Sequence, residues 1–186
     1  RNPAIFFRRA LKITNGSDLN GAAAGLTGLT IASENPVYVQ GNWNAPGNFN
    51  GAHVATSVLA DSVTLLSNNW NDLNSLANPY ARNTTTQRNA TTTWYRLAVI
   101  AGKGLSFPQP GGTGQDYGTD GGAHNFLRYI EDWGGQTLNF RGSIVSLYRS
   151  RQATGTYKCC ATVYNPPTRG YNFDTEFLTP ALLPPR

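Results

Sequence analysis

The stretch "GLTIASENPVYVQGNWN", Gly28 to Asn44, decides how the chain is read. In an extended chain Leu29, Ile31 and Ser33 share one face, with Thr30, Ala32 and Glu34 on the other. Pro36 interrupts this ladder because it has no N–H to donate. Val37, Val39 and Gly41 then resume on one face, opposite Tyr38 and Gln40. The pattern predicts two short strands joined by a bend. Gly41 turns the corner, and the side-chain amides of Asn42 and Asn44 can bond backbone groups that the ladder leaves free.

Similar units recur downstream. "HVATSVLADSVTLL" alternates and then runs apolar from Val63 to Leu66. "TTTWYRLAVIAGKG" sets Trp94, Arg96, Ala98 and Ile100 against Tyr95, Leu97 and Val99. "TLNFRGSIVSLYRSR" and "GTYKCCATVYN" add two more, each ended by Gly, Asn or Pro. Two segments read as helix. "NPAIFFRRALKITNGSD" has Pro3 near its start and Asn15-Gly16 as a stop, and is expected to cap a sheet edge. "HNFLRYIEDWGG" places Phe126, Leu127, Ile130 and Trp133 at helical spacing before a glycine pair.

Strands separated by excursions too long for hairpins suit a right-handed parallel β-helix, a mainly β solenoid with long loop inserts. A β-sandwich is the alternative. A length of 186 residues fits one domain, 1–186. With no Met and an Arg at each end, the chain reads as a piece of a longer protein.

Charged residues make up only 13% of the chain, about half the usual share. Gly, Asn, Thr, Ser and Tyr take their place, so the surface is expected to be neutral and hydrogen-bonding. The net charge of +5 comes from scattered residues, whereas nucleic-acid binding concentrates them. No segment reaches the roughly 20 apolar residues of a membrane helix.

The candidate sites each have a plainer reading. In "DYGTDGGAH", Asp116 and Asp120, with His124 nearby, sit on a Gly-rich loop that could supply part of a Ca2+ shell. No cofactor is the expectation, with Ca2+ the alternative, since the same aspartates can cap a turn. Cys159 and Cys160 are adjacent, either a vicinal disulfide or two thiols on opposite faces of a strand. Asp61, Asp116, Asp120, Glu131, Asp174 and Glu176 are the acids a polysaccharide hydrolase or lyase would use, at least two of them converging with an Arg or Lys. No nucleophile elbow or P-loop is present. Trp43, Trp70, Trp94 and Trp133 offer sugar-stacking faces, although aromatics in such positions are mostly core. Asn15, Asn83 and Asn89 begin N-x-[ST] triplets, which matter only in a glycosylating host.

"FFRRALKITNG", "GLTIASENPVYVQGNWN", "ADSVTLLSNNWND", "TTTWYRLAVIAGKG", "GTDGGAHNFLRYIEDWGGQTLNFRGSIVSLYRSRQATGTYKCC" and "VYNPPTRGYNFDTEFL" resemble one family. It comprises bacterial type IV pilus-associated envelope proteins with a PilX-type N-terminal region and a β-helical domain of undetermined activity. The resemblance implies a β-helix-like fold, an extracellular or cell-surface location, and other pilus or envelope proteins as partners, with surface glycans a further candidate. It implies a non-enzymatic role in adhesion, pilus assembly or surface display; a polysaccharide-active enzyme or a glycan-binding module is the alternative. The family supplies no catalytic residues. The chain also lacks the pilin-like hydrophobic N-terminus, so attachment to a pilus concerns the parent protein.

Overall fold

The computed structural model describes residues 9–22, 26–76, 88–103, 107–108, 116–117, 127, 129–152 and 165–186. The protein is mainly β. Its strands are β1 (Leu11–Ile13), β2 (Gly28–Ser33), β3 (Val37–Gln40), β4 (Ala55–Ala60), β5 (Val63–Leu66), β6 (Thr93–Lys103), β7 (Phe107–Pro108), β8 (Asp116–Tyr117), β9 (Thr137–Arg149) and β10 (Thr168–Phe173). Two helices, α1 (Leu19–Ala22) and α2 (Asp72–Leu76), are one turn each.

A small parallel sheet has the order β1-β3-β5, and a larger one the order β10-β9-β6-β4-β2. From β1 to β6 the chain alternates between the two sheets. Pro36 marks the passage from β2 to β3, and Asp61 and Ser62 that from β4 to β5. Every described pair in both sheets is parallel; the antiparallel β7–β8 pair is two residues long and stands apart.

These sheets correct the architecture expected from the sequence. A coil of equivalent rungs would give each sheet a strand on every turn. Instead, among the described residues the smaller sheet ends at β5, while β6 and β9 extend for 11 and 13 residues within the larger sheet alone. The described residues show no β-helix solenoid. Nor do the described residues form two face-packed antiparallel layers, since both sheets are parallel, which removes the sandwich. Parallel pairing is the habit of α/β proteins, but the described helices are too short to cover a sheet face.

Both expected helices also need correction. Leu11–Ile13 is a strand, paired with Val37–Val39, and residues 1–8 lie outside the described part. From 127 to 133, Leu127, Tyr129, Glu131 and Trp133 are buried. That is a period of two, and Asp132 accordingly bridges to Asn89 in parallel. The helical spacing was coincidental, because Ile130 belongs to the less buried phase.

The core lies between the sheets. Val37, Val39, Val63 and Leu65 meet Val58, Ala60, Tyr95, Leu97, Val99, Leu138 and Phe140 there, and Trp43 and Trp133 belong to the same cluster. β5, Val-Thr-Leu-Leu, is buried on both faces, with Thr64 the one polar residue in it. A β-bulge sets Ala101 against Ser146 but Gly102 against Tyr148, so Leu147 is extruded and exposed.

Candidate functional site

β6 turns Tyr95, Leu97, Val99 and Ala101 inward, which leaves Arg96 on the opposite face of the larger sheet. An arginine in the middle of an apolar strand needs counter-charges. The segment after β10 supplies them. Asp174 caps a 3-10 turn (Thr175–Leu178), accepting the Glu176 N–H, and a second turn (Pro180–Leu182) follows. Pro185 then reaches β2, packing at Gly28 and accepting a hydrogen bond from the Thr30 hydroxyl. β10 and β2 are the two edges of this sheet, so residues 174–185 form a strap across it.

Arg96 is the rivet. Its Nε donates to Asp174 Oδ2 at 2.7 Å and its Nη2 to Asp174 Oδ1 at 3.1 Å. Nη2 also meets Glu176 Oε1 at 3.0 Å, and Nη1 donates to His53 Nδ1 at 2.8 Å. His53 Nδ1 also lies 3.1 Å from the Gly51 carbonyl, and its Nε2 lies 2.8 Å from Glu176 Oε2. Asn44, in the left-handed region at φ 53°, ties the loop carrying His53 to β6 through the Val54 and Arg96 carbonyls. The Arg96 and Asp174 side chains are 5% and 4% exposed, and the bidentate fork is the strong form of this contact.

Two of the acids singled out from the sequence, Asp174 and Glu176, therefore do converge with an arginine. Neither Glu176 nor the space beside it supplies a general acid for hydrolysis. The hydrogen bond from His53, with help from Arg96, holds Glu176 below its ordinary range, whereas a general acid must be raised. The cavity bounded by His53, Arg96, Asp174, Glu176 and Leu182 measures about 10 Å³, the size of one water.

The other described acids are dispersed. Asp61, between β4 and β5, accepts from the Ser150 hydroxyl at 2.6 Å and from the Arg151 and Gln152 N–H groups at 2.7 and 3.0 Å. Glu131 is fully buried and accepts from the Ser67 N–H and hydroxyl, both at 2.6 Å. Asp116 lies on β8, while Asp120, His124, Asn83 and the Cys159–Cys160 pair fall outside the described residues. Among the described residues, no three His, Cys, Asp or Glu side chains gather to hold a metal ion, and no helix is long and apolar enough to cross a membrane. Trp43, Trp70 and Trp133 are core; Trp94 is partly exposed, with the Phe49 ring edge-on at 4.9 Å.

Burial raises the Glu131 carboxyl above its usual range, against the lowering effect of its bonds to Ser67. A raised acid favours the folded state fully below its unfolded pKa, and that contribution is lost as pH rises through the folded pKa. Glu131→Gln keeps a partner for both Ser67 groups without the buried charge. The variant should be more stable than the parent at pH 8, with the gain shrinking towards pH 4, as read by urea unfolding at each pH. A uniform loss across that range would contradict the assignment.

Arg96 and His53 did not stand out in the sequence as site residues. One available signal was Arg96 itself, a charge within the apolar run from Trp94 to Ala101. Comparison with family models, with curated proteins and with solved structures finds no match for this chain.

Proposed function

We propose that the chain is a non-enzymatic domain of an extracellular, surface-exposed bacterial protein linked to type IV pili, acting in adhesion, assembly or display. The observation that carries the non-enzymatic part is the Arg96 cluster. Where acids and an arginine do meet, they are bonded to one another around a water-sized space. Asp61 and Glu131, the other described buried acids, are likewise held by protein donors. The low share of charged residues and the sequence resemblance support the surface setting.

The test has two arms. Antibodies raised against the folded chain should label intact source cells and detect the parent protein in sheared pilus fractions; signal only after lysis would overturn the surface role. Purified protein should release no reducing ends or unsaturated products from a panel of polysaccharides. Release that Glu176→Gln abolishes would replace this reading with the polysaccharide-active enzyme.

A further inference from the structure

A second cavity, of about 260 Å³, opens where β1 and β3 end. Thr14, Asn15, Ser17, Gln40, Gly41, Asn42 and Asn68 line it, and none of them is charged. Asn15 and Gly41 both have left-handed backbone, at φ 59° and 77°, so two turns fold back to make its walls.

Its amides are held in fixed orientations. Asn42 Oδ1 accepts the Trp94 N–H and the Asn68 Nδ2, each at 3.0 Å, which leaves Asn42 Nδ2 to donate. Asn68 Oδ1 in turn accepts the Asn42 N–H at 2.8 Å. Gln40 Nε2 is spent on the Trp70 carbonyl at 2.9 Å, which leaves Gln40 Oε1 to accept. With the hydroxyls of Thr14 and Ser17, the cavity offers fixed donors beside fixed acceptors. An anion asks for donors alone and a cation for acceptors alone; a sugar hydroxyl is both at once.

We infer that this cavity is a binding site for one neutral sugar ring, free or as the terminal residue of a glycan. Its volume lies just under the roughly 300 Å³ at which small-molecule pockets begin, enough for a ring and too small for a longer segment. No aromatic platform lines it, so the affinity is weak. This rests on the non-enzymatic reading only in that the sugar is held and not cut, and it does not depend on any link to pili.

The test is titration of isotope-labelled protein, followed by amide NMR, with neutral methyl glycosides and with short oligosaccharides ending in the same sugars. Inorganic phosphate and acetate are the charged controls. Saturable shifts at Asn15, Gly41, Asn42 and Asn68 are expected from at least one neutral sugar. Thr14→Val and Ser17→Ala, checked for unchanged melting, should each weaken binding about fivefold. An affinity that survives only in the oligosaccharide arm identifies a glycan terminus as the ligand, and equal affinity a free sugar. No shift from any sugar, shifts from phosphate or acetate instead, or shifts centred on Trp94 and Phe49 would each overturn the assignment. None of those outcomes touches surface labelling, so the two readings can fail separately.

Discussion

Asp174→Ala is expected to destabilise the protein by about 3–5 kcal/mol, the cost of leaving one member of a buried ion pair without its partner. Arg96 would keep Glu176 and His53, but it would lose the fork that occupies its Nε and one Nη2 hydrogen. The loss should be local first. Asp174 also caps the turn that starts the strap, so residues 174–186 should loosen before the sheets do. Limited chymotrypsin digestion should cut at Phe177 or Leu178 in the variant well before any cleavage in the parent. Asp174→Asn keeps the shape and the cap, and should fall between the two. Unchanged stability and unchanged digestion would mean that the strap is held by something other than Arg96.

The second large effect lies in the ladder. Gly142 sits in β9 opposite Leu97 of β6, and a Cβ there would lie 1.8 Å from the Leu97 carbonyl oxygen. The obstacle is backbone in the middle of a sheet, so it cannot swing aside as a flexible side chain would. Gly142→Ala should therefore cost about 3 kcal/mol or more, at the upper end of overpacking effects. Ser143→Ala, one residue along and opposite Ala98, should change stability by about 0.5 kcal/mol at most. Urea unfolding midpoints of both variants check the contrast. Equal midpoints would show that β9 does not pair with β6 in this register.

The local grammar of the strands was legible. Pro36 separates β2 from β3, the mostly apolar run Val63–Leu66 is a strand buried on both faces, and β6 sorts its residues onto the two faces that alternation predicts. These depend on neighbours in sequence. What was not legible depends on distant partners. Whether parallel strands form a uniform coil or two unequal sheets is set by how far β6 and β9 run before bending, and no single residue announces that.

The phase of residues 127–133 is ambiguous in the sequence, because Leu127, Ile130 and Trp133 fit a helix as well as Leu127, Tyr129 and Trp133 fit a strand. Glu131 would have decided it only if its bond to Ser67, 64 positions away, had been foreseen. β10 carries no strand signal in the sequence, since Thr168–Phe173 has Arg169 and Gly170 in place of an apolar alternation. Its position at the sheet edge explains why it does not need one.

The candidate site follows the same division. Asp174 and Glu176 are recognisable as acids, and a polysaccharide-active site would need two such acids to meet an arginine or lysine. Arg96 lies 78 positions from Asp174, and only the sheet order brings them together. The sequence also had no way to show that the cluster would be closed, because closure comes from the strap returning to β2.

The strap, its rivet and the sugar cavity all presuppose that neighbouring strands run in the same direction. Cross-strand NMR contacts between β6 and β9 measure this directly. Parallel pairing predicts amide-to-Hα contacts in the register that sets Leu97 beside Gly142 and Val99 beside Ile144, without a series of close Hα–Hα pairs. A regular ladder of close Hα–Hα pairs between these strands would mark them as antiparallel and contradict the account.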